Sequence, residues 1–140
     1  AGGARSGVGV VMAEARLLID TDVMIEYLRG TQEAIAFLES LADRPATSVI
    51  CAAELLVGAR DDDERETIET FLLAFDEIPV DAETARVGAG YRRTYRASHT
   101  TGLADALVAA TAMRHGLQLA TFTARHYPTV DDLLVPYRRT

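Results

Sequence analysis

The strongest constraint on the fold is a repeated order: a short apolar run, then a stretch with helical spacing, then another short run. Leu17-Leu18-Ile19 is the first run, and it ends on Asp20. Such runs, bounded by polar residues, read as buried strands. Val23 to Leu28 follows as a helix stopped at Gly30. Thr31 is a candidate N-cap for a second helix, with Ile35, Leu38 and Leu41 on one face. Thr47 to Ile50 reads as a second strand and Cys51 to Ala59 as a helix. Asp61-Asp62-Asp63-Glu64 puts acids where a helix dipole favours them, and that helix runs to Phe75 with Ile68, Phe71, Leu72 and Phe75 as its stripe. Ile78 to Val80 is a third strand. Asp81 caps a helix from Ala82 to Ala97. Thr101 caps another from Leu103 to His115, which Gly116 ends. Leu117 to Thr121 is a fourth strand and Leu133 to Val135 a fifth.

No Asn-Gly type of hairpin signal joins these runs, and strands separated by helices pair in parallel. The expected class is α/β, with a mostly parallel sheet of four to five strands covered on both faces. A length of 140 residues suits one domain with a real core. Residues 1–11 are Gly-rich and read as a disordered lead-in or a remnant foreign to the native product. The domain is expected over 12–140.

Composition removes several chemistries. All 14 basic residues are Arg, so a Walker P-loop, a Schiff base and a phosphoryl-transfer Lys are excluded. The lone cysteine, Cys51, rules out an internal disulfide. No apolar run reaches the roughly 18 residues of a membrane span, and no signal-peptide order is present, so a cytoplasmic location is expected. The net charge of -7 argues against binding nucleic acid by general electrostatics. It leaves room for an enzyme that meets phosphates through a metal.

Three acids break the apolar pattern. Asp20 ends a buried strand. Glu54 is the only charged residue between Arg44 and Arg60, and Asp105 the only one between Arg96 and Arg114. A helix apolar nearly all round is buried, and an ionised carboxylate there is costly unless paired. Each acid falls at a strand's C-terminal end or in the first turns of a helix, the edge where α/β sheets build sites. Hard oxygen ligands without Cys or His partners suit Mg²⁺ or Mn²⁺. Taken singly, each acid has a plainer reading: a helix cap, a surface residue, or a charge favoured by a helix dipole.

Leu17 to Gly30, Thr47 to Gly58, Gly102 to Ala112, and Leu119 to Thr123 with His126-Tyr127 together resemble PIN-domain ribonucleases, more narrowly the VapC toxins of toxin–antitoxin pairs. The resemblance implies a small α/β/α sandwich and a Mg²⁺-dependent endoribonuclease, with Mn²⁺ as a possible substitute, leaving a 5′-phosphate and a 3′-hydroxyl. Asp20, Glu54 and Asp105 would be its catalytic acids. Asp20 and Asp105 would hold the metal, with Glu54 directly or through water and Asp22 as a further ligand. Thr21, Thr121 and Thr123 would support the site. Family members commonly carry Asn or Asp where this chain has Thr123, so the number of metals stays open, and Asp131 or Asp132 is the alternative source of a fourth acid. The resemblance also implies a homodimer and a small VapB-type antitoxin, with DNA met only through that antitoxin.

Arg92, Arg93 and Arg96 are candidate phosphate contacts, or else a solvated helix end that favours cations. Phe37, Phe71 and Phe75 give apolar faces that serve as core or as interface. Two other functions fit less of the chain. Ile19-Asp20-Thr21-Asp22-Val23 also matches the strand-end signature of haloacid-dehalogenase-type phosphatases, with Asp131-Asp132 as the late acid pair, but that chemistry normally uses a Lys. The other is a metal-free PIN-like binding module, which Thr123 would explain.

Overall fold

The computed structural model describes residues 16–95 and 101–139. The lead-in expected over 1–11, and Arg96, lie outside the described residues. Five strands form one sheet: β1 (Leu17–Ile19), β2 (Ala46–Ser48), β3 (Asp76–Ile78), β4 (Gln118–Ala120) and β5 (Leu133–Leu134). Their order is β3-β2-β1-β4-β5, and every neighbouring pair is parallel. The α/β class and the five-strand sheet are as expected. Helices α1 (Thr21–Leu28) and α2 (Gln32–Glu39) link β1 to β2. Helices α3 (Val49–Val57) and α4 (Asp62–Leu72) link β2 to β3, and α5 (Ala82–Tyr95) and α6 (Leu103–Arg114) link β3 to β4. The links from β1 to β2 and from β2 to β3 run toward one edge of the sheet, and the α5–α6 link from β3 to β4 runs back across it to the far side of β1.

The central strand is the most protected. Leu18 and Ile19 are fully buried, and Leu18 sits between Ala46 of β2 and Leu119 of β4. Burying side chains of this size contributes about 1.5–3 kcal/mol each. Gly30 and Gly116, at φ of 82° and 62°, turn the chain out of α1 and α6 in the left-handed region that a Cβ disfavours.

Several boundaries differ from the sequence expectation, each for a local reason. β3 lies at 76–78, not 78–80. Pro79 has no N–H for the ladder, and Arg44 pins the earlier segment through Asp76 Oδ1 at 2.8 Å and the Phe75 carbonyl at 3.0 Å. Val49 and Ile50 belong to α3 because the Ser48 hydroxyl accepts from Ile50 N at 3.0 Å and caps the helix there. Thr101 is not the cap of α6. Its hydroxyl donates to the His126 carbonyl at 2.9 Å, and Gly102 takes the cap position. Thr31 holds the N-cap position of α2, but its hydroxyl donates to Glu26 instead.

Phe75 is buried, and Phe71 packs on the core while stacking on Tyr27 at 5.0 Å between ring centres, so these rings are structural. Phe37 packs against the same core. The large apolar side chains left in solvent include Val57 and Leu73, at the ends of α3 and α4. In the α5–α6 hairpin, Arg114 bonds Asp81 at 3.0 Å and Glu83 at 2.7 Å, and Gly88 lies on Ala106 and Leu107. The two helices therefore run antiparallel, and the end of α5 lies beside the start of α6.

Candidate active site

Strand order reverses between β1 and β4, and the crevice beyond their C-terminal ends is where an α/β sheet presents ligands. Asp20 is the first residue past β1. As N-cap of α1, its Oδ1 accepts from Thr21 N at 2.8 Å. Its Oδ2 accepts from the Thr121 hydroxyl, just past β4, and from the Tyr127 hydroxyl, each at 2.8 Å. Burial pushes the Asp20 carboxyl up to about 6, Asp22's charge adds to the rise, and the three hydrogen bonds oppose it.

Asp22 lies in the first turn of α1 and faces the same loop. Its Oδ2 accepts from Phe122 N at 3.0 Å and from the Thr123 hydroxyl at 3.3 Å. Thr121 Oγ1 is also 3.3 Å away, but its single hydrogen is better placed on Asp20. Asp22 Oδ1 is buried without any hydrogen-bond partner. Burial raises this carboxyl as well.

Asp105 occupies the first turn of α6 and is loosely held. Tyr127 Oη is 3.4 Å from its Oδ1, while Gly102 N and His126 Nδ1 are each 3.5 Å from Oδ2. Glu54 corrects one expectation: the apolar run around it implied burial, yet it is exposed on α3. What brings it to the crevice is Thr21, whose hydroxyl donates to Glu54 Oε1 at 2.7 Å.

Asp20, Asp22, Asp105, Glu54, Thr21, Thr121 and Thr123 thus meet at one sheet edge. Asp132 does not join them. It accepts from Gln118 Nε2 at 2.8 Å, at the start of β4 and hence the opposite edge, and Asp131 beside it is exposed. Neither supplies a fourth acid, and the late acid pair of the phosphatase reading is lost with them. Arg92 and Arg93 lie at the Asp105 end of the hairpin. Arg93 is exposed, and Arg92 Nη1 is buried without a partner.

Sequence reasoning missed the role of Tyr127. In the sequence it is one residue of a motif, and a Tyr in that setting reads as core; the remaining signal is that a buried Tyr hydroxyl needs a polar partner. Burial, then the charges of Asp20 and Asp105, push its pKa far up, so the hydroxyl stays a donor. Cys51 also touches Asp20, at 3.7 Å. Burial first and the Asp20 charge second push its thiol up to about 12, so it is no nucleophile.

The donors suit a small hard cation. They are all oxygen, one of them is a buried orphan, and three carboxylates, those of Asp22, Glu54 and Asp105, keep some exposure. Among the described residues no three His, Cys, Asp or Glu side chains form a ready-made cage. Mg²⁺ does not require one, because it keeps several waters and takes one or two carboxylates.

Residues 17–130 match the family model described as PIN domain. Ribonuclease VapC10 of Mycobacterium tuberculosis is 40% identical over 124 residues, covering 86% of this chain and 92% of the relative. Ribonuclease VapC19 of the same species is 37% identical, covering 86% and 98%. Among solved structures, a toxin–antitoxin complex from Klebsiella pneumoniae contains a chain with a TM-score of 0.76 and 27% identity, covering 89% of this chain and all of that one.

Proposed function

The chain belongs to the PIN-domain family, and from that premise we propose that it is a Mg²⁺-dependent endoribonuclease toxin, restrained by a small VapB-type antitoxin. The observation that carries the reading is the gathering of Asp20, Asp22, Asp105 and Glu54 at the switch point of a parallel sheet. The names of the VapC relatives and the toxin–antitoxin neighbour support the substrate class and the partner. Residues 12–140 form the domain, which acts in the cytoplasm as a homodimer. No helix among the described residues is long and apolar enough to cross a membrane.

Asp20, Asp22 and Asp105 would hold the cation, with Glu54 directly or through water; Mn²⁺ would serve as substitute. When bound, such an ion supplies charge neutralisation at the scissile phosphate and acidification of a water. The chain's own residues do the rest. Thr121, Thr123 and Tyr127 orient the buried acids. Glu54 is held by one oxygen, which leaves Oε2 open at the rim to take the proton of the attacking water. Arg92 and Arg93 stand at the Asp105 end, where they would meet the phosphates of an RNA strand.

Asp105→Asn tests the reading. RNA cleavage that depends on Mg²⁺ should fall at least 100-fold in a folded variant, and unchanged cleavage would sink the proposal.

A further inference from the structure

We infer that the Tyr127 hydroxyl is the positioning group that sets Asp20 and Asp105 relative to one another for cation binding, an inference that rests on the metal-dependent reading above. The two acids come from different parts of the chain. Asp20 follows β1, and Asp105 opens α6. Tyr127 Oη lies 2.8 Å from Asp20 Oδ2 and 3.4 Å from Asp105 Oδ1, and among the described residues it is the one side chain that stands against both. A single hydroxyl hydrogen serves the shorter contact, which leaves Asp105 resting against the oxygen rather than locked by it.

The ring is held rigidly enough to act as a spacer. Tyr127 is almost fully buried and among the largest such side chains. Its N–H bonds the Ala124 carbonyl at 3.0 Å, and its carbonyl accepts from Val130 N at 3.0 Å. Thr101 secures the preceding carbonyl, that of His126, at 2.9 Å. A phenylalanine would fill the same volume without a polar atom to desolvate. The buried hydroxyl is accounted for by the carboxylates it faces. Thr121 also bridges two acids, but Asp20 and Asp22 already share one helix start, so among the described residues it is Tyr127 that hydrogen-bonds across the two elements.

The test compares the full-length wild type with Tyr127→Phe, Asp20→Asn and Thr47→Val, each first checked for folding by thermal melt. Mn²⁺ affinity is read by calorimetry, and the Mg²⁺ concentration for half-maximal RNA cleavage is read beside it. Tyr127→Phe should bind Mn²⁺ about tenfold or more weakly, the usual effect of removing a group that orients a ligand. Replacing Tyr127 with 4-aminophenylalanine, which restores a donor, should recover part of the loss. Thr47→Val removes another fully buried hydroxyl, bonded to the Ile19 carbonyl at 2.9 Å, and should lower stability without changing Mn²⁺ affinity. Wild-type affinity in Tyr127→Phe, with binding lost in Asp20→Asn, overturns the inference and leaves the metal reading standing. A wild type that binds no Mn²⁺ overturns both.

Discussion

The Thr21 hydroxyl donates to Glu54 Oε1 at 2.7 Å and so ties the first turn of α1 to the middle of α3. This bond makes an exposed helix residue part of the crevice. Without it, Glu54 would sample solvent like any surface carboxylate, losing a fixed geometry that effective acid–base work needs. Asp20, next to Thr21 in the chain, needs no such help, because it is walled in by two strands and a loop.

Thr21→Val keeps the shape of the side chain and deletes the bond. RNA cleavage should fall about tenfold, within the range for groups that orient catalytic ligands. Stability should change by about 1 kcal/mol or less, since the bond lies at an exposed site. Initial rates across a Mg²⁺ titration, together with a urea melt, separate the two effects. Equal rates in both proteins would mean that Glu54 does not depend on Thr21.

Asp20 and Asp105 were legible because acids in apolar surroundings recur at equivalent ends of separate strand–helix units, although each alone reads as a helix cap or a charge favoured by a helix dipole. Glu54 was legible as a candidate for a mistaken reason. A run of small apolar residues does not say which side of its helix faces the core, and Ala53, Glu54 and Val57 all face out. The shift of β3 could not be read locally, because Arg44, 32 residues away from Asp76, sets it. Tyr127 shows the same limit more sharply. Its function is a distance between two carboxylates, and that exists only once β1 and α6 have been brought together.

The pH dependence of stability in metal-free protein follows from Asp20. Its carboxyl is raised from 3.8 to about 6 by burial. A raised acid binds its proton more tightly in the folded state, so ionisation opposes folding. The penalty is absent below about pH 4, grows through the window to pH 6, and is full above it. A rise of that size corresponds to about 3 kcal/mol. Asp22, raised in the same direction, adds to the trend. Asp20→Asn should therefore be more stable than wild type by about 1–3 kcal/mol at pH 7 in chelator, and the gain should vanish by pH 4. The Thr121 and Tyr127 hydroxyls can turn to accept from the new amide. Urea unfolding at pH 4, 5, 6 and 7 gives the profile, and a difference that is constant with pH would contradict it.

Two glycines in α5 should answer alanine with opposite signs. A Cβ on Gly88 would lie 2.8 Å from Leu107 Cδ2 and 3.3 Å from the Ala106 carbonyl and Leu107 Cα. Leu107 Cδ2 can move aside, but the backbone of α6 cannot do so cheaply. Overpacking of this kind costs about 1–3 kcal/mol, which exceeds the roughly 1 kcal/mol gained in helix propensity. A Cβ on Gly90 would meet nothing within 4 Å, so alanine there should bring the propensity gain alone. Thermal melts should place Gly88→Ala below wild type and Gly90→Ala above it. Because Gly88 sets the approach of α5 to α6, its variant should also weaken RNA cleavage.

The basic end of α5 is tested by salt. Arg93 is exposed and Arg92 carries a buried, unpartnered Nη1, both at the Asp105 end of the hairpin. A chain of net charge -7 has no general attraction for RNA, so the phosphates it meets must be held locally. Each phosphate of a single strand that an arginine neutralises releases counterions and contributes about 0.7 to the slope of log affinity against log salt. In an Asp105→Asn background, which should bind RNA without cutting it, Arg92→Ala with Arg93→Ala should weaken binding and flatten the slope by about 0.7 for each phosphate no longer neutralised. Fluorescence anisotropy of a labelled single-stranded RNA between low and physiological salt reads both quantities. A uniform loss of affinity with the slope unchanged would mean that these arginines hold the α5–α6 hairpin together instead of meeting phosphate.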